Sequence, residues 1–307
     1  MPFRCSVASL SRDEPLPGTA STVTSFLLVE NAGPWGVDAL RDARMPEDVK
    51  RGLRELGART GVRVLLVRRH RGPVAGPGLR VFAAYAHPSA PWMETTTVAG
   101  PDELLALDLA ALGRGESLGL TRSDEPVFCV CTHGRHDSCC AELGRPVATA
   151  LHASHPAQTW EVSHIGGDRF AANVLVLPEG LYYGRVSAQE APGLARTHLD
   201  GRLDLDLLRG RSGLPFPVQV AEVAVRREVG EARDGAVRVS AITRSKDDTK
   251  VVLEVSGAPY TVVVRRSQAA DEYQLTCRAL RANPIPVYTV VAVEPGSLVP
   301  GGRSPVV

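Results

Sequence analysis

Cysteine is scarce in this chain, with six among 307 residues. That is too few for the disulfide framework of a small secreted scaffold. The CxxC pair of a thiol–disulfide oxidoreductase is also missing. The chain offers only CxC and CC, and a bridge between vicinal cysteines is strained. Net charge is nearly absent, at +1, which excludes a broad nucleic-acid footprint. No apolar run approaches the roughly 20 residues of a membrane helix. The opening MPFRCSVASLSRDEPLPG has no apolar signal core before charge and proline arrive. The expectation is a cytoplasmic protein with neither nucleic acid nor membrane as partner. What is present, 44% hydrophobic and 22% charged residues, suits a globular chain long enough for two domains.

TSFLLVE (24–30) reads as a buried strand and PEDVKRGLRELGARTG (46–61) as a helix, with Val49, Leu53 and Leu56 on one face. Strands follow at 62–69 and 79–87, parted by the breaker run GPVAGPG, and DELLALDLAAL (102–112) reads as a second amphipathic helix. A similar order recurs: strand at 126–133, helix at 138–154 capped by Asp137 or Ser138, strand at 159–165, strand pair at 173–187 turning at Pro178–Gly180, helix at 188–199. The organisation expected is an N-terminal α/β unit (1–115), a related unit (120–200) and a C-terminal block (201–307). The last holds a helix at 214–230, then AVRVSAITR, KVVLEVSG, YTVVVRRSQ, EYQLTCRAL and VYTVVAVE as a small antiparallel sheet, and a loose tail, GSLVPGGRSPVV.

The scarce cysteines are concentrated. CTHGRHDSCC (131–140) carries three, and Cys129 lies just upstream. Cys5 and Cys277 stand alone and read as small buried hydrophobes. A polar loop between Cys131 and Cys140 can wrap a metal, and the start of the helix after it stabilises thiolate charge. SHIGGDRF (163–170) sets His164 and Asp168 four apart around two glycines, which let backbone turn sharply beside a bulky group. Both segments follow strands, so one sheet edge can bring them together. His133 and His136 read as solvated loop residues, with either as a substitute ligand the alternative. Arg135, Arg145, Arg169 and Arg185 read as ordinary surface charge, with a rim that steers an acidic redox partner as the alternative. Tyr182 and Tyr183 read as sheet packing.

CTHGRHDSCC followed by SHIGGDRFAANVLVLPEGLYYGRV resembles the sucrase/ferredoxin-like proteins, a family of thioredoxin-like ferredoxins. EPLPGTASTVTSFLLVENAGPWG (14–36) and LRGRSGLPFPVQVAEVAVRRE (208–228) resemble its bacterial branch. The resemblance implies a thioredoxin-like α/β fold and a [2Fe–2S] cluster held by two cysteines and an HxxxH pair. Cys131 and Cys140 match the cysteines and His164 the first histidine. Asp168 stands where the second histidine belongs, which leaves the fourth ligand open among Asp168, Cys139 and Cys129. Adjacent helical residues point about 100° apart, so Cys139 and Cys140 reach one iron only with distortion. The function implied is non-enzymatic electron transfer between redox donor and acceptor proteins of unidentified kind. Zinc in the same ligands, or thiol redox chemistry, is the alternative. Glycoside hydrolysis is set aside, since no carboxylate pair lies in a context that supports it.

Overall fold

The computed structural model describes residues 2–71 and 78–296. Residues 72–77 of the breaker run and 297–307 of the tail lie outside the described residues. In chain order the elements are α1 (Cys5–Leu10), β1 (Ser25–Glu30), α2 (Glu47–Thr60), β2 (Arg63–Arg69), β3 (Leu79–Tyr85), β4 (Trp92–Val98), α3 (Leu109–Gly113), β5 (Thr121–Arg122), β6 (Val127–Cys131) and α4 (Ser138–Ser154). Then come β7 (Thr159–Val162), β8 (Val174–Leu177), β9 (Leu181–Tyr183), α5 (Ala191–Leu199), β10 (Leu208–Arg211), α6 (Phe216–Val229), β11 (Val237–Arg244), β12 (Asp248–Val255), β13 (Ala258–Tyr273) and β14 (Asn283–Pro295).

The fold is mixed α/β, with one ten-stranded sheet and a separate four-stranded antiparallel sheet near the C-terminus. The large sheet runs β10-β9-β8-β6-β7-β2-β1-β3-β4-β5. β1 pairs parallel with β2 and antiparallel with β3, which pairs antiparallel with β4. β6 stands in the same relation to β7, β8 and β9. The halves meet where β2 and β7 pair antiparallel, Val67 opposite Val162.

The two-residue period of a strand explains the cores. Phe26, Leu28, Phe82, Cys129, Leu175 and Tyr182 point to one face and share a single core across both halves. Leu27 and Val29 point to the other face, under Val49 and Leu53 of α2 and Leu109 and Leu112 of α3. Phe128 and Val130 lie likewise under Val147 and Leu151 of α4 and Leu194 of α5. These strands have no polar face, which is why β1 and β6 read as unbroken apolar runs. In the small sheet β12 and β13 bury Val251, Leu253, Val262 and Val264 against Val218, Ala221 and Val225 of α6.

Two expected elements differ. The helix over 102–112 is broken into a 3-10 turn at Pro101–Ala106 and the short α3, because the Asp108 side chain accepts from Ala111 N–H at 3.0 Å and starts a new helix. EYQLTCRAL is not a strand throughout: β13 ends at Tyr273, and residues 274–282 leave the sheet as irregular chain. Alternation alone does not make a strand where no neighbour supplies hydrogen bonds. α1, β4, β5 and β10 have no counterpart in the sequence reading.

Candidate metal centre

Parallel neighbours release their following loops at the same sheet edge. β6 and β7 are such a pair, Cys131 opposite Val162. Cys131 is the last residue of β6, and Cys140 sits in the first turn of α4, whose N-cap is Asp137. α4 can approach because position 144 is glycine: a Cβ there would lie 2.1 Å from the Cys131 carbonyl oxygen. His164 follows β7, and Asp168 opens a 3-10 turn at Asp168–Phe170.

The ligating atoms of Cys131, Cys140 and His164 lie within 4.8 Å of one another. Asp168 Oδ1 is 3.7 Å from Cys140 Sγ and 2.9 Å from His164 Nδ1. That last approach is off the line of a hydrogen bond, and His164 Nδ1 is buried with no hydrogen-bond partner. Both thiols and Asp168 are buried. The Cys131 thiol is drawn well below its usual range by a hydrogen bond from Cys140, against burial and with help from His164. Cys140 moves up correspondingly. Burial pushes the His164 imidazole down, but Asp168 and Cys131 outweigh it and hold it up to about 9. Asp168 is drawn down by His164 in spite of its burial. Without metal, therefore, the two cysteines share a proton and an imidazolium balances the negative charge.

His133 is buried, not solvated. Its Nε2 donates to the Gly36 carbonyl at 2.7 Å, and its Nδ1 accepts from His164 N–H at 3.2 Å. Both nitrogens are spent, so His133 positions His164 and does not ligate. His136 stacks on His164 with ring centroids 3.8 Å apart, and its Nε2 lies 3.9 Å from Asp168 Oδ2. It stands as a reserve donor at the half-exposed rim.

The Gly166–Gly167 turn rests on Arg209, a fully buried guanidinium. Arg209 donates to the Gly166 carbonyl at 3.0 Å and to Asn173 Oδ1 at 2.8 Å, while Asn173 donates to the Gly167 carbonyl at 2.8 Å. Burial lowers Arg209 to about 10, and Asp168 and Cys131 are among the anions that oppose this. A buried cation thus lies beneath the anionic donors. From sequence His133 reads as a solvated loop residue, and Arg209 carries no signal at all. Arg209 falls inside the LRGRSG stretch, but nothing local distinguishes it from a surface arginine.

Cys139 turns the other way and does not join Cys131 and Cys140. It meets Cys5 and Cys277, which therefore are not isolated cysteines. Cys129 is an ordinary core thiol in the shared face, its pKa raised by burial. Arg135 and Arg145 are exposed. Arg169 and Arg185 instead hold the N-terminal segment, pairing with the Glu14 carboxylate at 2.7 Å and its carbonyl at 2.7 Å. Tyr182 and Tyr183 are wholly buried in the sheet. Among the described residues no helix is long and apolar enough to cross a membrane.

A family model described as sucrase/ferredoxin-like matches residues 16–210. A curated relative, "Altered inheritance of mitochondria protein 32" of Meyerozyma guilliermondii, is 31% identical over 99 residues, which are 29% of this chain and 35% of that protein. The match thus spans about a third of that relative's length. No solved structure matches the chain at a significant level.

Proposed function

The chain belongs to the sucrase/ferredoxin-like family, and from that premise we propose that it is an electron carrier of thioredoxin-like fold holding a [2Fe–2S] cluster through Cys131, Cys140, His164 and Asp168. The observation that carries this reading is the convergence of donors after β6 and β7: the ligating atoms of Cys131, Cys140 and His164 lie within 4.8 Å of one another, and Asp168 Oδ1 reaches both Cys140 Sγ and His164 Nδ1. A metal bound here displaces the proton that Asp168 helps hold on His164 and takes the freed lone pair. Two thiolates, an imidazole and a carboxylate suit iron of a [2Fe–2S] centre. When bound, the cluster supplies a one-electron couple.

The chain's residues set the terms of that couple. Two thiolates and one carboxylate around a 2+ core sum to −1, between all-cysteine and two-histidine centres, which favours an intermediate potential. His133 fixes the backbone of His164, and the Arg209 cation offsets the added electron from below. His136 and His164 lie at the partly exposed rim, where a donor or acceptor protein would dock. The strand order supports the thioredoxin-like reading: parallel β6 and β7 beside antiparallel β8 and β9, with α4 after the first strand and α5 after the last. The unit over 120–200 would then be the ferredoxin-like one. Six free cysteines accord with the cytoplasmic placement we propose.

The test is anaerobic purification followed by visible and electron paramagnetic resonance spectra. Iron and acid-labile sulfide in equal amounts are expected, with loss of both in Cys131→Ser and Cys140→Ser. Wild-type protein that is colourless, iron-free and zinc-loaded at these residues would overturn the reading in favour of a Cys2HisAsp zinc site.

A further inference from the structure

On the opposite side of α4's first turn lies a second group of donors. Cys5 Sγ is 3.7 Å from Cys139 Sγ, Cys139 Sγ is 3.4 Å from Cys277 Sγ, and Cys277 Sγ is 3.6 Å from Cys5 Sγ. Both carboxylate oxygens of Asp137 lie 3.7 Å from Cys5 Sγ. Donor atoms of all four residues fall within 4.8 Å of one another. Asp137, Cys5 and Cys139 are buried, while Cys277 keeps partial exposure through which an ion can arrive.

We propose that Cys5, Cys139, Cys277 and Asp137 form a second, mononuclear metal site of structural-zinc type, separate from the iron–sulfur centre. Zinc–sulfur bonds of about 2.3 Å in a tetrahedron place sulfurs about 3.8 Å apart; the three sulfurs already form a triangle of nearly that edge. An odd number of mutually touching thiols cannot be closed by disulfides. The buried Asp137 carboxylate caps α4, and both its oxygens also face Cys5 Sγ, so it adds an anionic oxygen donor to the three sulfurs. The surroundings are those of thiolate and carboxylate ligands. The Cys5 N–H points to Cys277 Sγ at 3.5 Å, and the Ser6 hydroxyl donates to Cys139 Sγ at 3.2 Å. Asp137 accepts from the N–H groups of Cys139 at 2.9 Å and Cys277 at 2.6 Å. Carboxylate ligands are characteristically held by such outer hydrogen bonds. Three sulfurs select a soft or borderline divalent ion over magnesium or calcium. Binding releases the thiol protons, leaving three thiolates and one carboxylate around Zn²⁺.

The consequence is a staple. α1 is a helix of six residues without a side-chain cap, and residues 274–282 have no regular structure. One ion would tie both to α4, across 134 residues from Cys139 to Cys5 and 138 to Cys277. The Arg4–Glu142 pair at 2.5 Å also ties the start of α1 to α4, and the Arg278 bond to the Arg135 carbonyl at 2.7 Å ties the 274–282 segment to the loop before α4.

Metal analysis of purified wild-type protein, Cys5→Ser, Cys277→Ser and Cys131→Ser tests this. Wild type is expected to carry zinc in equimolar amount. Cys5→Ser and Cys277→Ser should lower it roughly tenfold or more, since loss of even an outer-shell partner costs that much affinity, with iron unchanged. Cys131→Ser should lose iron and keep zinc, so failure of one site is distinguishable from failure of the other. If the serine variants do not fold, wild type is loaded with Co²⁺. Tetrahedral d–d bands and a thiolate charge-transfer band are expected, with Cys5, Cys139 and Cys277 protected from alkylation until a chelator is added. The proposal is overturned if wild type neither carries nor takes up zinc or cobalt. Zinc that persists in both serine variants, zinc lost only with Cys131→Ser, or a native disulfide between two of the three cysteines would overturn it equally.

Discussion

Asp168→Asn removes one charge and almost no volume, so its effect on the reduction potential of the proposed cluster is calculable. Asp168 is 2% exposed, and its Oδ1 sits 2.9 Å from His164 Nδ1 and 3.7 Å from Cys140 Sγ. A unit charge about 4 Å from the added electron, at an effective dielectric near 20, contributes about 4 kcal/mol. For one electron that is about 170 mV, at 59 mV per 1.4 kcal/mol. The rim is not fully dry, since the side chains of His164 and His136 keep 22% and 34% exposure. Screening there reduces the expected rise to roughly 100 mV. Asp168→His keeps four donors and should raise the potential similarly, while its second imidazole steepens the pH dependence. Spectroelectrochemical titration of the three proteins across pH reads these shifts. An Asp168→Asn protein that keeps its iron and its potential to within about 20 mV, far below the Coulomb term, would refute the placement of this carboxylate at the cluster.

Cys129→Ser should leave the visible spectrum intact yet cost about 1–3 kcal/mol of stability by burying a hydroxyl, read as a lower denaturation midpoint. Gly167→Ala forces an alanine to φ near +78° with its Cβ 2.2 Å from an Arg209 nitrogen. It should lose iron faster than Gly166→Ala, where φ is also positive but nothing lies within 4 Å; equal iron-release rates would argue against the Arg209 support. In metal-free protein His164 titrates near 9 when folded and near 6.5 when unfolded. Its contribution to stability is therefore complete below about pH 6.5 and lost as pH rises through 9. The melting temperature of the metal-free wild type should fall over that window, and Asp168→Asn should flatten the fall.

The elements legible in the sequence are those whose cause is local. β1 and β6 carry apolar residues on both faces because helices cover one side and the shared core the other. α2 and α4 show a helical period, and Asp137 offers a cap that the structure uses. The 274–282 stretch deceived because alternation reports what a strand would bury, not whether a partner strand is there. Asp108 broke a helix that its apolar spacing continued, since one side-chain hydrogen bond to backbone competes with one helical bond. At the candidate site, the thiol pair and the later His164–Asp168 pair were readable because each follows a strand of one parallel pair. Arg209 was not: its role depends on burial, and the sequence around it looks like any surface turn.

The vicinal Cys139–Cys140 pair joins what was readable to what was not. Neighbouring residues in a helix diverge by about 100°, so two adjacent thiols cannot both serve one metal without distortion. That rule makes a shared metal costly for the pair, and it needs no structure. It does not say what waits on the other side. The partners there are Cys5 and Cys277, which no spacing rule connects with position 139, because α1 and the 274–282 segment are brought to α4 only by the finished fold. A pair adjacent in sequence is thus divided between two groups of donors, on either side of the first turn of α4. Whatever steadies Cys139 on one face of that turn also steadies Cys140 on the other.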